Sequence, residues 1–414
     1  LNLLLSAFAY SLRESLAIAW AAIRANAMRS MLATLGIVIG IVTVTLMGTA
    51  ITGLKRAFVN SISVIGADVL YVQRFDWFVN SHQAYERMLK RKRITLADAE
   101  SLARQMTTAR AVMPAANAQL PVSFGRRRSD AVYITGTTYD MAAVHSGEMR
   151  EGRFMNAAES DGGRPVCMIG AEVADNLFRS GSALGNKIKI GSAAFEVIGV
   201  LGRQGSFLGL VSLDNQAIVP LRQFEANFIS DPDYEIHVKA ASPDQIEETT
   251  EELRAVMRRV RHLKPHEPDD FAINRQDQFT KMFDSVAGTI GTVGLFVTGL
   301  SLFVGGIGIM NIMFVSVAER TREIGIRKAI GAKRRTILLQ FLIEAAAICT
   351  MGGVIGLAIA WPLTFLMSKW FPATMSLPIA GLAIAVSLLT GVLSGIVPAW
   401  RAARLNPVDA LRNE

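Results

Sequence analysis

The sequence predicts a membrane α-helical protein: four transmembrane helices, with a large α+β domain outside the membrane inserted after the first of them. Three observations predict it. Of the 414 residues 51% are hydrophobic and 19% charged, less charge than a soluble domain of this size carries. The charges leave long gaps: Met31 to Leu54, Val286 to Ala318 and Phe371 to Trp400 hold none, and Thr336 to Ser368 holds only Glu344. Each gap exceeds the roughly 20 residues that a spanning helix needs. Finally, the long segment between the first two gaps carries a strand–helix–strand pattern at each of its ends.

The gaps place spans at roughly 31–53, 289–315, 337–363 and 378–398. The first lies too far from the start, with no small-residue cleavage site after it, to be a cleaved signal. Before it, in residues 3–29, Leu5, Phe8, Leu12, Leu16, Ala19 and Ile23 recur at helical spacing beside Arg13, Arg24 and Arg29. This predicts an amphipathic helix over residues 1–30, at the cytoplasmic face of the membrane or packed on neighbouring spans. Orientation follows from charge. Residues 1–30 are net +2, 319–335 net +5 and 400–414 net +1, together the whole net charge of +8. Short basic loops stay in the cytoplasm, and all three fall on one side of a four-span topology. The termini (the tail being 399–414) and the loop 316–336 are therefore expected inside, and about 55–285 outside.

Stripes of apolar residues leave the first span (Leu54, Phe58, Ile62, Ile65) and enter the second (Phe279, Phe283, Val286, Ile290). They predict helical stalks over 54–66 and 276–288. In the outer domain Ala67 to Arg74 reads as a strand, and Thr95 to Asp98 as a capping box opening a helix to about Gln105. At the far end Tyr234, Ile236 and Val238 alternate as in a strand. Ser242-Pro243-Asp244-Gln245 then reads as a cap opening a helix to about Leu263, with early Glu and late Arg as the helix dipole favours. A strand at Asp269 to Arg275 completes the second unit. Two βαβ units so placed predict a split ferredoxin-like sheet over 67–121 and 229–275, interrupted by a β-rich insert, 122–228. The insert holds a hairpin, Lys187 to Val200, and a strand–helix pair, Val166 to Phe178.

The spans are rich in small residues. Gly36/Gly40, Gly352/Gly356 and Gly391/Gly395 are spaced to let helices approach closely. With Gly305, Gly306, Gly308 and Asn311 they are expected to pack helices, including across a dimer. Glu344, a charge inside a span, is a functional candidate by position. It is expected either to bond to the basic loop or to act in coupling. No Gly-x4-Gly-Lys-Ser/Thr loop, Gly-x-Ser-x-Gly elbow or paired-histidine metal motif occurs. His262 and His266 are separated by Pro265 and read as loop. Cys167 and Cys349 fall in different parts of the protein, so neither a disulfide framework nor a metal site is expected, and both are expected to be dispensable. The basic segments flank spans, which argues against nucleic acid as a partner.

The segment ERTREIGIRKAIGAKRRTILLQFLIEA, Glu319 to Ala345, holds the remaining signal. Glu323 precedes Arg327 by four residues, a helical pairing. Ile324, Ile326 and Ile330 supply apolar surface that a solvated loop does not need, and Gly325 and Gly331 permit a turn or a close approach. This predicts a short docking helix that inserts into a partner, the alternative being a basic lipid-facing loop.

These 27 residues resemble the hallmark of the MacB-like/FtsX-like ABC transporter permeases. The tail GIVPAWRAARLNPVDALR (Gly395 to Arg412) resembles their closing motif. In the outer domain EGRFMNAAE (Glu151 to Glu159), PVCMIGAEVADNLF, LGNKIKIGSAAFEVIGVL and AIVPL resemble theirs more loosely. The resemblance implies the four-span type VII layout, with a "porter" part and a "sabre"-like insert. It implies a homodimer or heterodimer, and an ATPase subunit in two copies docking on a coupling helix: Glu319, Arg320, Arg322, Glu323, Ile324, Gly325, Arg327, Lys328, Gly331, Ala332 and Lys333. ATP and magnesium would be bound by that ATPase, so this chain is expected to hold no cofactor and to be no enzyme by itself. In the macrolide exporters the ATPase precedes the first span, so here a separate polypeptide is expected to supply it. The resemblance further implies a bacterial inner-membrane location, membrane lipid around the spans, and mechanotransmission to the outer domain. The outer partner would be a periplasmic adaptor with an outer-membrane duct, giving efflux, or else a lipoprotein carrier or cell-wall hydrolase. The competing expectation is a membrane receptor without an ATPase. An intramembrane enzyme is disfavoured because the spans lack paired catalytic polar groups. Glu323→Lys and Gly331→Trp are expected to uncouple the ATPase.

Overall fold

The computed structural model describes residues 27–62, 66–79, 81–145, 148–179, 181–207, 211–370 and 372–412. They form two compact units: Phe58–Met282, and the flanking residues up to Ala57 and from Phe283 onward. The helix expected over 3–29 lies, but for its last three residues, outside the described ones.

The first described element is helix α1 (Ala27–Ile62). It contains the span expected at 31–53 and stays helical over 54–62 of the stalk expected at 54–66; residues 63–65 of that stalk lie outside the described ones.

In the outer unit β1 (Val69–Gln73) is followed by α2 (His82–Leu89) and α3 (Leu96–Gln105). The capping box of α3 is present: Thr95 Oγ1 accepts from the Asp98 amide, and Asp98 Oδ2 accepts from the Thr95 amide. Then come β2 (Ala109–Phe124), β3 (Arg127–Thr137), α4 (Met141–Val144), β4 (Met149–Gly152), α5 (Ala157–Asp161), β5 (Val166–Ile169) and α6 (Ala171–Leu177). Strands β6 (Lys187–Ile190) and β7 (Ala193–Leu201) form the expected hairpin, turning at Gly191 with φ +58°. After β8 (Ser206–Phe207), β9 (Val211–Ser212), β10 (Gln216–Pro220) and α7 (Leu221–Asn227) come β11 (Glu235–Ala240), α8 (Ile246–Val260) and β12 (Ala272–Arg275).

Strands β12-β1-β11-β2 lie side by side, each neighbour antiparallel. This is the order that two interleaved βαβ units produce, with α3 and α8 as their crossovers. Ile236 and Val238 on β11 join Leu253, Val256 and Met257 of α8 in one core. Arg261, just past α8, is 6% exposed at its side chain and reaches Asp98 at 3.1 Å and Asp270 at 2.8 Å. The two crossovers are thus tied by a buried charge network.

Three details depart from the sequence reading. The division at 121/122 falls inside β2, which pairs with β11 through one half and with β6 through the other. The insert therefore extends the ferredoxin-like sheet into one ten-stranded sheet, continuing through β3-β10-β5-β7-β4. Ser242 makes no side-chain cap, because Pro243–Gln245 form a 3₁₀ turn before α8 starts at Ile246. And α8 ends at Val260 rather than Leu263, because the chain turns at His262, whose φ is +52°.

Helix α9 (Gln276–Glu319) begins in the outer unit and runs into the other, which continues with α10 (Thr321–Ala329), α11 (Arg334–Met367), α12 (Leu377–Arg404) and α13 (Pro407–Arg412). With α1, helices α9, α11 and α12 are long and apolar enough to cross a membrane, and each expected span lies within one of them. Helix α9 begins at Gln276, so the second expected stalk is helical too.

Candidate functional site

Helix α10 and its surroundings form the candidate site. Glu323 lies in its first turn and Arg327 and Lys328 in its last, each sign at the end the helix dipole favours. The expected pair forms, with Arg327 Nη2 donating to Glu323 Oε1 at 2.5 Å, while Nη1 donates to Gln340 Oε1 at 2.7 Å. The helix stops at Gly331. Its φ of +102° is open to glycine and strained for other residues. The Gly331 amide donates to the Lys328 carbonyl and the Ala332 amide to the Arg327 carbonyl, both at 3.0 Å, the paired bonds of a Schellman ending.

One face of this helix is anchored. Ile324 is 3% exposed and packs with Ile337, Phe341 and Ala402; Gly325 is buried beside it. Lys328 Nζ donates to the carbonyls of Ala403 at 2.7 Å and Leu405 at 2.5 Å, satisfying acceptors that the end of α12 leaves without an intrahelical partner. Ala410 of α13 is also buried, and α13 packs on α10. The other face is open. Ile326 is 43% and Ile330 82% exposed; Glu319, Arg322, Glu323, Arg327, Gly331 and Lys333 are exposed with them.

The residues expected to couple therefore separate into two sets. Ile324, Gly325, Lys328 and Ala332, which packs against the core, hold the helix in place. Ile326 and Ile330 are what the open face offers. The sequence grouped the three isoleucines together, since spacing alone did not say which pointed inward.

Arg320 turns the other way. Its Nη1 lies 3.5 Å from Oε2 of Glu344, which is 3% exposed, and Glu344 Oε1 has no hydrogen-bond partner among the described residues. The glycine pairs are used within the chain. A Cβ on Gly36 would stand 2.9 Å from Gly305 Cα, and one on Gly391 2.8 Å from Ala346 Cα. Gly40 faces Leu302, Gly352 faces Ile37, Gly356 faces Ile41, Gly395 faces Ala345 and Gly306 faces Ser394. Gly308 is half-buried and Asn311 is exposed.

His145 and His237, 92 residues apart in sequence, belong to a second polar cluster that no sequence motif marks. On the sheet face away from α3 and α8, Glu235, His237 and Lys239 of β11 line a cavity of about 690 Å³ with Asp68, Tyr71, Tyr133 and His145. His145 Nε2 lies 3.1 Å from His237 Nδ1, and His237 Nε2 3.5 Å from Glu235 Oε2. Burial, with the charges of His237 and Lys239, pushes the His145 imidazole down to about 3. Burial pushes the Glu235 carboxyl up, but bonds from His237, Gln73 and Asn117 outweigh it and leave the group below its ordinary value. Lys239 Nζ donates to the Val144 carbonyl at 3.1 Å and lies 3.5 Å from Asp68 Oδ2. Among the described residues no three His, Cys, Asp or Glu side chains converge as metal ligands.

Residues 30–256 match the family model of the MacB-like periplasmic core domain, and 295–407 that of the FtsX-like permease C-terminal domain. The chain is 31% identical to the macrolide export ATP-binding/permease protein MacB of Rhodopirellula baltica, over 97% of this chain and 62% of that protein. It is 33% identical to the pyoverdine export ATP-binding/permease protein PvdT of Pseudomonas entomophila, over 97% and 60%. The chain thus spans about 60% of the length of these relatives. The solved periplasmic region of MacB from Actinobacillus actinomycetemcomitans is 15% identical, covers 53% of this chain and 94% of its own, and superposes with a TM-score of 0.43. With four membrane-length helices, a core domain matched across more than half its length and the permease domain matched after it, the chain belongs to the MacB-like/FtsX-like family of ABC transporter permeases.

Proposed function

We propose that this chain is the membrane subunit of an ABC exporter in a bacterial inner membrane, and that α10 receives the stroke of a cytoplasmic ATPase. The observation that carries the proposal is the division of α10 into an anchored face and an open one. A helix whose base is locked to α11, α12 and α13, and whose tip presents Ile326 and Ile330 among Arg322, Arg327 and Lys333, suits a rigid peg in a partner's socket. Full burial of one isoleucine contributes about 1.5–3 kcal/mol, so such apolar exposure favours a partner. The 414 residues hold no phosphate loop, so ATP and magnesium fall to an ATPase domain or subunit outside them, in two copies on a dimer of permeases.

In this reading the termini and α10 are cytoplasmic and residues 55–285 periplasmic. ATP-driven closure of the ATPases tilts the spans, and the motion reaches the outer domain through α1 and α9. The spans, with Glu344 as their one charge, offer no polar stripe, which favours transmitting motion over carrying a polar cargo through the membrane. By analogy with the relatives named for macrolide and pyoverdine export, the cargo is a bulky natural product. It would be taken up on the periplasmic side and passed to an adaptor and an outer-membrane duct.

The test is purification in mild detergent from the native host. An ABC ATPase is expected to accompany the chain, with nucleotide hydrolysis that Ile330→Asp abolishes. A chain that comes alone and shows no crosslink from Ile330→Cys to an ATPase overturns the coupling reading in favour of a receptor.

A further inference from the structure

The cavity of about 690 Å³ on the open face of the sheet has the size of a small-molecule site. Nothing in ATPase coupling uses it, and every residue that lines it belongs to the outer unit. Strand alternation sets its floor. Ile236 and Val238 of β11 enter the core, so Glu235, His237 and Lys239 point to the opposite face. Register places Asn117 of β2 and Ile218 of β10 on either side of Thr135 of β3, and all three line the cavity. The α4 segment adds Met141, Val144 and His145.

The basic groups of this cavity are engaged. Lys239 is buried, with Nζ bonded to the Val144 carbonyl and facing Asp68. Arg203 reaches Asp175 at 2.6 Å. The carboxylate of Glu235 has no such counter-charge, and 30% of its side chain is accessible. Burial opposes its charge, but the bonds from His237, Gln73 and Asn117 hold it ionised near neutral pH. An ionised carboxylate only accepts hydrogen bonds, so His237 turns Nε2–H toward it, across 3.5 Å. The Nδ1 of a neutral His237 then accepts from His145 Nε2 at 3.1 Å. Burial above all keeps the His145 imidazole neutral, which leaves its Nδ1 an acceptor, without a hydrogen-bond partner among the described residues. The network thus ends in acceptors. An anionic ligand would face Glu235 while Lys239 and Arg203 are already engaged. A cation would meet the carboxylate and, in the exposed Tyr133, an aromatic ring of the kind that attracts cations. Met113, Met141 and Ile218 supply apolar wall.

We propose that this cavity binds a protonated organic amine, its ammonium held by the Glu235 carboxylate and its apolar body laid against Tyr133, Met113 and Ile218. The inference rests on the outer unit alone, so it stands or falls apart from ATPase coupling.

The test is calorimetry on the full chain in detergent at about pH 8, above the ordinary imidazole value of about 6.5. Three probes share an indole ring and a two-carbon arm: tryptamine, tryptophol and indole-3-propionate. Tryptamine is expected to bind saturably and about tenfold more tightly than tryptophol, as a hydrogen bond to a charged group provides, with indole-3-propionate weakest. Glu235→Gln keeps the shape of the side chain and should bring tryptamine down to the level of tryptophol. Gln216→Trp, which fills the cavity from a half-buried position on β10, should abolish the binding of all three. Unfolding temperatures show whether each variant is folded, and the two lie on different strands, so one that misfolds leaves the other to decide. Absence of saturable tryptamine binding at millimolar concentration overturns the proposal. So does tighter binding of indole-3-propionate, or a preference for tryptamine that survives Glu235→Gln, which would place the amine outside this cavity.

Discussion

The Lys328 ammonium holds the Ala403 carbonyl at 2.7 Å, tying the candidate coupling helix to the end of the last span. Ile330, two residues beyond Lys328, touches nothing comparable and is 82% exposed. The two residues should therefore fail in different ways. Lys328→Met strips a charged donor from two carbonyls and should cost about 1–3 kcal/mol of stability, read as a lower unfolding temperature in detergent. Ile330→Asp should leave that temperature within error. It should weaken ATPase binding by about thirtyfold, the equivalent of losing ~2 kcal/mol of apolar contact. Equal losses of stability in both variants would show that Ile330 is packed in the assembled unit and that the open face is not a docking face. Gly331→Trp is a poorer probe than the sequence suggested, because φ of +102° strains the helix ending whatever the partner does.

Local rules made much of this legible. The capping box at Thr95, the Gly191 hairpin and the Glu323–Arg327 pair are each set by residues a few positions apart, where spacing decides geometry. What depends on distant partners was not legible. Arg261 and Glu252 fit the dipole of α8 and were assigned to it. In the fold Arg261 clamps Asp98 and Asp270, and Glu252 accepts from the Thr107 and Thr108 amides. His145 and His237 meet only because the α4 segment covers the sheet. Cys167 is 1% exposed within the apolar core, so a serine there would bury a hydroxyl, and Cys167→Ala tests its dispensability more cleanly.

The glycines separate contacts within a chain from contacts between chains. A Cβ on Gly36 meets the backbone of Gly305 at 2.9 Å, so Gly36→Ala must push α1 from α9. It should cost about 1–3 kcal/mol, as overpacking does. Gly299, on the same α9, has nothing within 4 Å of an added Cβ, and Gly299→Ala should be neutral or better by up to about 1 kcal/mol. Unfolding temperatures of the two variants check this. If Gly299→Ala instead reduces crosslinking between copies at unchanged stability, that face of α9 is where a second protomer packs.

Acid should weaken the outer unit. The His145 imidazole is held neutral, its value at about 3 against an ordinary 6.5. Below pH 6.5 the unfolded chain takes up a proton that the folded chain refuses, so stability falls as pH drops toward 3. The slope is at most about 1.4 kcal/mol per pH unit, and the partial exposure of the ring reduces it. The penalty is absent above pH 6.5. His145→Gln, which can still hydrogen-bond to His237, should flatten the slope between pH 6.5 and 4 in chemical unfolding of the full chain. An unchanged slope would mean that another group carries the acid sensitivity.

Glu344 offers the sharpest separation of structure from coupling. Its Oε2 lies 3.5 Å from Arg320, its Oε1 has no partner among the described residues, and the residue is 3% exposed. A buried carboxylate with half its bonding unmet is weak support for a fold, and replacing a buried ion pair by uncharged groups is often neutral or stabilising, the cost of removing one partner being the charge left buried. Arg320, about a quarter exposed, can turn to water when its partner goes. Glu344→Gln and Glu344→Met are therefore expected to keep or raise the unfolding temperature. If Arg320–Glu344 joins the end of α9 to α11 as the ATPase drives α10, both variants should lower permease-dependent ATP hydrolysis severalfold while ATPase binding is unchanged. Arg320→Gln should do the same, and the double variant should lose no more than either single one. A falling unfolding temperature with coupling intact would make the pair a structural bond and nothing more.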